Sequence, residues 1–341
     1  MTMPFTSPWQ DILADTPLAE HLPADGKALF PLPHLASLVA GGPDARAFLH
    51  GQLTNDVKTL ADDAAQLTAW CTAKGRMIAN FLLHSLPAQA TQVIEGSEAA
   101  SFRLICSADL LADLCQRLRR YILRAKVELV DESARFIHLG ISSGDGALAA
   151  LGLPLAAPEA PLGVAHGEDC SLIRLPEGRC VLSAPRERMT GILAARRLPL
   201  AAPRLWQYLD IAAAFPWITA ESTEAFVPQM MDFDRQGGVS FNKGCYPGQE
   251  VIARARYLGE VKRHLYRLTA PGPFRAGEDL LTRSGQNAGK VIAAAPQPQQ
   301  PGKEEEETWL ALAVVSAEAA NDLQGAVPIA ALPLYPQSDD A

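Results

Sequence analysis

The sequence predicts an α+β fold of two or three domains that ends in a small antiparallel β-barrel. At 341 residues the chain is too long for one compact core, since cores rarely grow past about 250 residues. Helical segments and short strands are mixed through the first two thirds of the chain. In the last third, short strand-like runs separated by glycines and charged residues predict the barrel, at 261–268, 290–294, 309–315 and 326–332.

Helices are predicted where apolar residues recur at helical spacing or where helix-start residues stand. A brief helix opens at Pro43 and Asp44, and Gly51 can end it in a left-handed conformation. A longer helix follows Ser107, a suitable N-cap, and its apolar stripe makes Cys115 a core residue. The longer predicted helices cover 107–121, 186–196 and 203–214.

Strands are predicted from short apolar runs bounded by turn residues. Lys74 and Gly75 form one such turn, and residues 54–56 fall in a loop. Residues 153–161, rich in proline and alanine, and residues 296–308, rich in proline, glutamine and glutamate, are predicted to be loops. The predicted strands before the barrel are 35–39, 67–71, 77–83, 126–130, 136–141, 171–174 and 180–183.

Composition and charge narrow the function classes. The chain is 48% hydrophobic and 20% charged, which excludes disorder of the whole chain. Its formal net charge of −8 argues against general binding to a phosphate backbone, so any connection to RNA is expected to be indirect. No secretory signal pattern and no long apolar run stands in the sequence, and a cytoplasmic location is therefore expected.

The six cysteines are scattered and form no CxxC pair, which is typical of reduced and mostly packed thiols. A metal or cluster site wholly within one chain is not expected, because a cluster needs several thiolates. The cysteines are Cys71, Cys106, Cys115, Cys170, Cys180 and Cys245.

Cys245 lies in the most unusual segment of the chain, residues 243–250, with the sequence KGCYPGQE. Glycines on both sides allow close approach of the backbone to a ligand, and Lys243 favours the reactive thiolate form. Cys245 can thus be a nucleophile, a metal ligand, a redox-sensitive thiol or a structural residue. The spacing offers it no histidine partner, since the nearest histidine, His264, falls on a predicted strand that can be surface-exposed.

The segments around this motif resemble the YgfZ family, folate-binding proteins related to the T-protein of glycine cleavage. The resemblance is carried by residues 226–230, 237–241 and 251–257 beside the motif. Weaker similarity extends it to residues 51–56, 74–76 and 121–124.

The resemblance implies an aminomethyltransferase-like fold of three domains, with boundaries here at 25–130, 131–254 and 255–336. It also implies a tetrahydrofolate-binding accessory protein that supports iron–sulfur enzymes, including those that modify tRNA, with such enzymes or cluster-assembly proteins as partners. Cys245 would be the functional thiol, assisted by Lys243 and by the backbone of Gly244, Tyr246 and Gly248. The implied folate site consists of Thr54, Asn55, Asp56, Tyr121, Arg124, Gln229, Gln249, Glu250 and Arg254.

Several of these residues also have structural explanations. The segment from Thr54 to Asp56 is typical of a turn, and Gln249 and Glu250 can cap a following strand or helix. Tyr121 can pack against the core, and Arg124 can pair with Asp56 or Glu132.

The sequence departs from the T-protein pattern where that enzyme carries an essential acidic pair. Ala79 and Asn80 stand there, and neither can act as a general base. Ala212 and Asp232 replace a glutamate and an asparagine of the relatives. A folate-dependent aminomethyltransferase or demethylase, in which Asp56 or Asp232 substitutes for the pair, and a purely structural adaptor remain the alternatives.

Overall fold

The computed structural model describes residues 8–14, 16–87, 100–142, 148, 151, 153, 155–175, 178–259, 261–299, 306–323 and 330–333. Within these residues the strands form three antiparallel sheets of five strands each, with helices packed beside them, so the predicted α+β class is confirmed. No helix in the described part of the chain is long and apolar enough to span a membrane.

The elements alternate along the chain without a strict repeat. Single-turn 3₁₀ helices lie at Ala108–Leu110, Pro228–Met231 and Ala320–Asp322. The α-helices are α1 (Trp9–Leu13), α2 (Ala45–Gln52), α3 (Leu111–Arg119), α4 (Arg186–Ala195), α5 (Pro203–Ala212) and α6 (Gln249–Tyr257). The strands are β1 (Leu29–Pro31), β2 (Leu35–Gly41), β3 (Ala65–Cys71), β4 (Met77–Leu86), β5 (Ser101–Ser107), β6 (Glu128–Asp131), β7 (Phe136–Ile141), β8 (Val164–His166), β9 (Ser171–Arg174), β10 (Cys180–Pro185), β11 (Arg263–Pro271), β12 (Asp279–Leu281), β13 (Asn287–Pro296), β14 (Thr308–Ser316) and β15 (Ala330–Pro333).

The three sheets follow one another along the chain with one crossing. The first has the order β3-β4-β5-β2-β6, the second β1-β7-β10-β9-β8 and the third β12-β13-β14-β11-β15. Strand β1 precedes the first sheet in sequence but pairs with β7 of the second, which ties these two sheets together. The order of the third sheet has β12 and β15 at its edges, so its closure into a barrel stays a prediction, as do the domain boundaries.

Two sequence predictions are corrected at the ends of helices. Gly51 does not cap α2, because the helix continues through Gln52 and its cap is Leu53, in extended conformation. Ser107 is the last residue of β5 and stands at the predicted N-cap position, before a 3₁₀ turn, but its side chain makes no capping bond there. The predicted segments 300–305 and 326–329 lie outside the described residues.

Helix α5 is the element that joins the sheets. Its Trp206 is buried against the second sheet, where Gly140 of β7 faces the indole so closely that a Cβ there would lie 2.4 Å from a ring carbon. One continuous apolar core includes Trp206, Phe81 of the first sheet and Ile292 of the third. The sheets therefore share a core around α5.

We expect Gly140→Ala to lower the free energy of unfolding by about 1–3 kcal/mol, because the added methyl group overlaps the buried ring of Trp206. Urea unfolding of the purified protein measures the change. Gly51→Ala is the matched control, since a Cβ there meets nothing within 4 Å and the residue lies inside α2. Equal stability of the two variants would contradict the packing described for α5.

Candidate functional site

The loop that carries the cysteine motif alternates between buried and exposed residues. Lys243 and Tyr246 are 8% and 7% exposed, whereas Gly244 and Cys245 between them face solvent. Each of the other five cysteines is buried. The loop is thus held at two points and presents Cys245 at the protein surface.

Lys243 anchors the loop to the end of α2. Its ammonium donates to the backbone carbonyl oxygens of His50 and Leu53 and lies 4.8 Å from the centre of the Tyr246 ring. Burial lowers the pKa of Lys243 to about 8. These carbonyls stand at the negative end of the helix, which favours a cation. The sequence predicted Lys243 as a partner of the thiolate, whereas its observed bonds are to α2.

Gly248 docks the motif on the turn between β3 and β4. It has a φ of +82°, and a Cβ at this position would lie 2.5 Å from the Thr72 carbonyl oxygen and 2.6 Å from the Gly75 Cα. Only glycine combines this backbone conformation with this close approach. Two segments that the sequence analysis linked only by resemblance, 74–76 and 243–250, are therefore in direct contact.

The loop from Thr54 to Asp56 holds the segment that leads into the motif. The Thr54 hydroxyl donates to the carbonyl oxygen of Gly238 at 2.7 Å. The Asn55 amide donates to the carbonyl oxygens of Leu67 and Gly237, each at 2.7 Å. The side chains of Thr54 and Asn55 are thus already used in joining two parts of the chain.

His50, which the sequence analysis did not single out, lies beside the motif. Its ring is largely buried, with Nδ1 3.1 Å from Asp56 Oδ1 in a contact that does not have the geometry of a hydrogen bond. Its Nε2 lies 3.5 Å from the position that a Cβ on Gly244 would occupy. The distance along the chain separates His50 from the motif, and no spacing rule could have found this contact.

Gln229 lies in a 3₁₀ helix that packs on α6. Its Nε2 donates to the carbonyl oxygen of Ile252 at 2.6 Å. Its Oε1 is buried and has no hydrogen-bond partner among the described residues. A buried amide oxygen without a partner is an acceptor that a ligand or water can use.

The remaining predicted site residues are partly or largely exposed. Gln249, the first residue of α6, is half-buried, and Glu250 pairs with Arg254 one turn later at 3.4 Å, both exposed. Tyr121 is 49% exposed and meets the buried Trp70 edge-on. These exposed side chains are available to a binding partner, and few contacts within the protein fix their positions.

Two expected pairings are wrong. Arg124 was expected to pair with Asp56 or Glu132. Glu132 instead binds Arg103 at 2.8 Å, and Asp56 faces His50. Arg124 is exposed and has no ion pair within the described residues.

His264 does not simply face solvent. It is largely buried, and its Nδ1 lies 3.1 Å from Asp232 Oδ1, which raises the pKa of the imidazole. Asp232 also accepts the backbone N–H of Leu265. This pair fastens the third sheet to the segment before the motif.

A cavity of about 280 Å³ lies between α5 and β13. His34, at its wall, has both ring nitrogens buried and unpartnered within the described residues, and burial lowers its pKa to about 4. Asp210 receives hydrogen bonds from Arg179 at 2.6 Å and from Trp217 at 3.2 Å. None of the predicted site residues lines this cavity, whose walls are His34, Ser107, Gln207, Asp210, Ile211, Phe215, Trp217, Thr219, Ala276, Ile292, Ala293 and Ala294.

We expect Gly248→Ala to destabilise the docked motif by about 2 kcal/mol or more, since left-handed strain adds to the overlap with Thr72 and Gly75. Gly285→Ala is the control, because Gly285 has a φ of +81° and nothing within 4 Å of its Cβ position. Thermal unfolding and the rate of proteolysis near the motif measure the difference. If both variants lose the same stability, the close approach of Gly248 to Thr72 and Gly75 does not contribute to the stability of the docked motif.

The fold is similar to that of a solved enzyme. The glycine cleavage system aminomethyltransferase T from Bartonella henselae superposes with a TM-score of 0.70, at 17% sequence identity, over 92% of this chain and 84% of that one. This likeness confirms the predicted fold and, at such low identity, nothing beyond it.

Sequence comparison with curated proteins identifies the family. A comparison with models of protein families gives no match. The tRNA-modifying protein YgfZ of Sodalis glossinidius is 33% identical over 287 residues, which cover 81% of this chain and 82% of the relative. Its counterpart in Photorhabdus laumondii is 32% identical over 295 residues, or 82% and 84% of the two chains. The chain therefore belongs to the YgfZ family.

Proposed function

We propose that this protein is a folate-binding accessory factor in tRNA modification, which supports iron–sulfur enzymes through the thiol of Cys245. The observation that carries the proposal is that Cys245, alone among the six cysteines, is exposed, on a loop held by buried Lys243 and Tyr246. The name of the relatives supports the link to tRNA modification. The net charge of −8 favours a protein client over direct contact with RNA.

An exposed thiol on an anchored loop can act on a group held by another protein. A cluster needs several thiolates, and Cys245 supplies one. The cluster would therefore belong to the client, with Cys245 as an added ligand or as a sulfur acceptor. The side chains of Tyr121, Arg124, Gln249, Glu250 and Arg254 are candidates for contacts to that client.

The cavity beside α5 fits the pteridine ring of tetrahydrofolate. Its volume of about 280 Å³ is near the lower end for small-molecule sites, and Phe215 and Trp217 supply aromatic walls. The unpartnered ring nitrogens of His34 and the Thr219 hydroxyl can bond to polar ring edges. Bound tetrahydrofolate would supply a carrier for one-carbon units.

The alternative function, aminomethyl transfer, needs a general base, and none stands at the position where the T-protein has its acidic pair. Asn80 is buried, donates to the carbonyl oxygen of Pro216 at 2.9 Å and accepts the N–H of Ile218 at 2.7 Å. The two carboxylates that would have to replace the pair, those of Asp56 and Asp232, face His50 and His264. Production of methylene-tetrahydrofolate from a methylated amine by the purified protein would revive this alternative.

We expect Cys245→Ser to abolish the ability of the gene to restore iron–sulfur enzyme activity and tRNA modification in a deletion strain, because the thiol itself is required. Asn242→Ala is the matched control, since it truncates an exposed side chain of the same loop. Both proteins are first shown to accumulate and unfold like the wild type. Full restoration by Cys245→Ser would reject the thiol-dependent function and leave the adaptor hypothesis.

We expect the purified protein to bind tetrahydrofolate saturably. Ala294→Phe should fill the cavity and weaken this binding at least about tenfold, which corresponds to about 1.4 kcal/mol of binding free energy. Anaerobic titration calorimetry measures both dissociation constants. Ala61→Phe places the same bulk at an exposed position as a control.

Two outcomes would change this assignment. No saturable binding by the wild type would reject the folate proposal. Normal binding by Ala294→Phe, with weaker binding by Asn55→Ala or Arg254→Ala, would move the site to the motif region.

A further inference from the structure

His264 joins the third sheet to the segment that precedes the Cys245 motif. It is the second residue of β11, and its side chain is largely buried. Its Nδ1 lies 3.1 Å from Asp232 Oδ1, and its Nε2 lies 2.7 Å from the carbonyl oxygen of Val261. Both ring nitrogens therefore face acceptors, a carboxylate on one side and a backbone carbonyl on the other.

These two acceptors decide which protonation state of the ring fits the site. A neutral imidazole has one N–H and one acceptor nitrogen, whereas the imidazolium donates at both nitrogens. In either neutral tautomer, one ring lone pair would face the oxygen of Asp232 or the oxygen of Val261. Only the doubly protonated ring makes both hydrogen bonds at once.

We propose that His264 and Asp232 form a proton-dependent latch, which holds the third sheet to the 3₁₀ helix before the motif while the imidazole carries two protons. When the pH rises, the N–H bond at Nε2 breaks and the proton leaves to solvent. The N–H at Nδ1 stays with the carboxylate, because a hydrogen bond to a charged acceptor is the stronger one. The contact to Val261 is then lost, and the start of β11 is held less firmly.

Asp232 connects the latch to the surroundings of the motif. It is 2% exposed and ends the 3₁₀ helix Pro228–Met231 with a φ of +49°. Its second carboxylate oxygen accepts the backbone N–H of Leu265 at 3.1 Å. From the same 3₁₀ helix, Gln229 donates to a carbonyl oxygen of α6, which begins inside the motif. The latch thus links β11 to the element on which α6 packs.

The charges around the ring favour its protonated form. The Asp232 carboxylate raises the pKa of His264 above its usual range, against the opposing effects of burial and of the Arg235 guanidinium, which lies 3.6 Å from the same oxygen. Val315, opposite His264 on β14, is apolar. Because the pKa is higher in the folded chain, the stabilisation is fully present below the unfolded value of about 6.5. It is lost as the pH rises through the folded value.

The other titratable groups near the pair have separate roles. Asp234 and Tyr266 lie near Asp232, and burial raises the pKa of each. The cations Lys262 and Arg263 precede the histidine in the chain, where they oppose its protonation. The Asp232 carboxylate is therefore the group that favours the charged ring.

The test is the protection of the Leu265 backbone N–H against hydrogen exchange in the full-length wild type, relative to an unstructured peptide at the same pH. We expect this protection to fall at least about threefold from about pH 6 to about pH 8.5. The N–H of Ile218 is the matched control, since it also donates to a side-chain oxygen, that of Asn80, which does not titrate. Its protection should stay constant.

The protonation itself is followed by NMR of the imidazole C–H signals, assigned with His264→Gln. We expect the pKa of His264 to lie above about 6.5 in the wild type and to fall in Asp232→Asn. Asp232→Asn should also remove the pH dependence of Leu265 protection. His21→Gln, which changes an exposed histidine, should leave both quantities unchanged.

Equal Leu265 protection at both pH values overturns the proposal, and so does a wild-type pKa of His264 at or below about 6.5. The protection measurement needs only the wild type, so it decides even if a variant fails to fold. Neither quantity depends on the Cys245 thiol or on folate, so both outcomes are independent of the proposed function.

Discussion

The bond between the Lys243 ammonium and the end of α2 is the interaction on which the candidate site depends. A buried ammonium loses its hydration, and this loss is offset only if strong acceptors replace the water. Two backbone carbonyl oxygens, the negative end of a helix and the face of Tyr246 do so here. The same contact satisfies carbonyls that every helix leaves unpaired at its C-terminus. The loop and the helix end thus satisfy each other's polar groups.

This mutual dependence explains how an exposed cysteine can be held in place. The loop enters from a segment tied to Thr54 and Asn55 and leaves through Gly248, which is seated on the turn at Gly75. Contacts to α2, to the loop at Thr54 and Asn55 and to the turn between β3 and β4 therefore hold the segment around an exposed cysteine. A thiol fixed by its neighbours rather than by its own packing stays reachable by a large partner.

The sequence alone predicted the class of fold and most strands, because hydrophobic periodicity is a local signal. It misjudged what depends on distant contacts. Gly51 was expected to end a helix, yet nothing about its spacing reveals that α2 runs one residue further. His50 was overlooked and Lys243 was given a direct role at the thiol, since only the folded chain brings α2 to the motif. The cavity beside α5 draws on five separate segments and has no sequence signature.

In this aminomethyltransferase-like fold, Asn80 stands where the sequence pattern of the T-protein has its acidic pair, and its observed bonds are structural. Asn80 uses its amide to clamp the backbone from Pro216 to Ile218, and so fixes Trp217 at the cavity wall. An amide can make both bonds at once, whereas a carboxylate has no N–H to donate. A residue that holds a wall is not free to accept a substrate proton. Polar side chains are grouped instead where the motif meets α2, on a different part of the same scaffold, and a fold alone does not fix where a site lies.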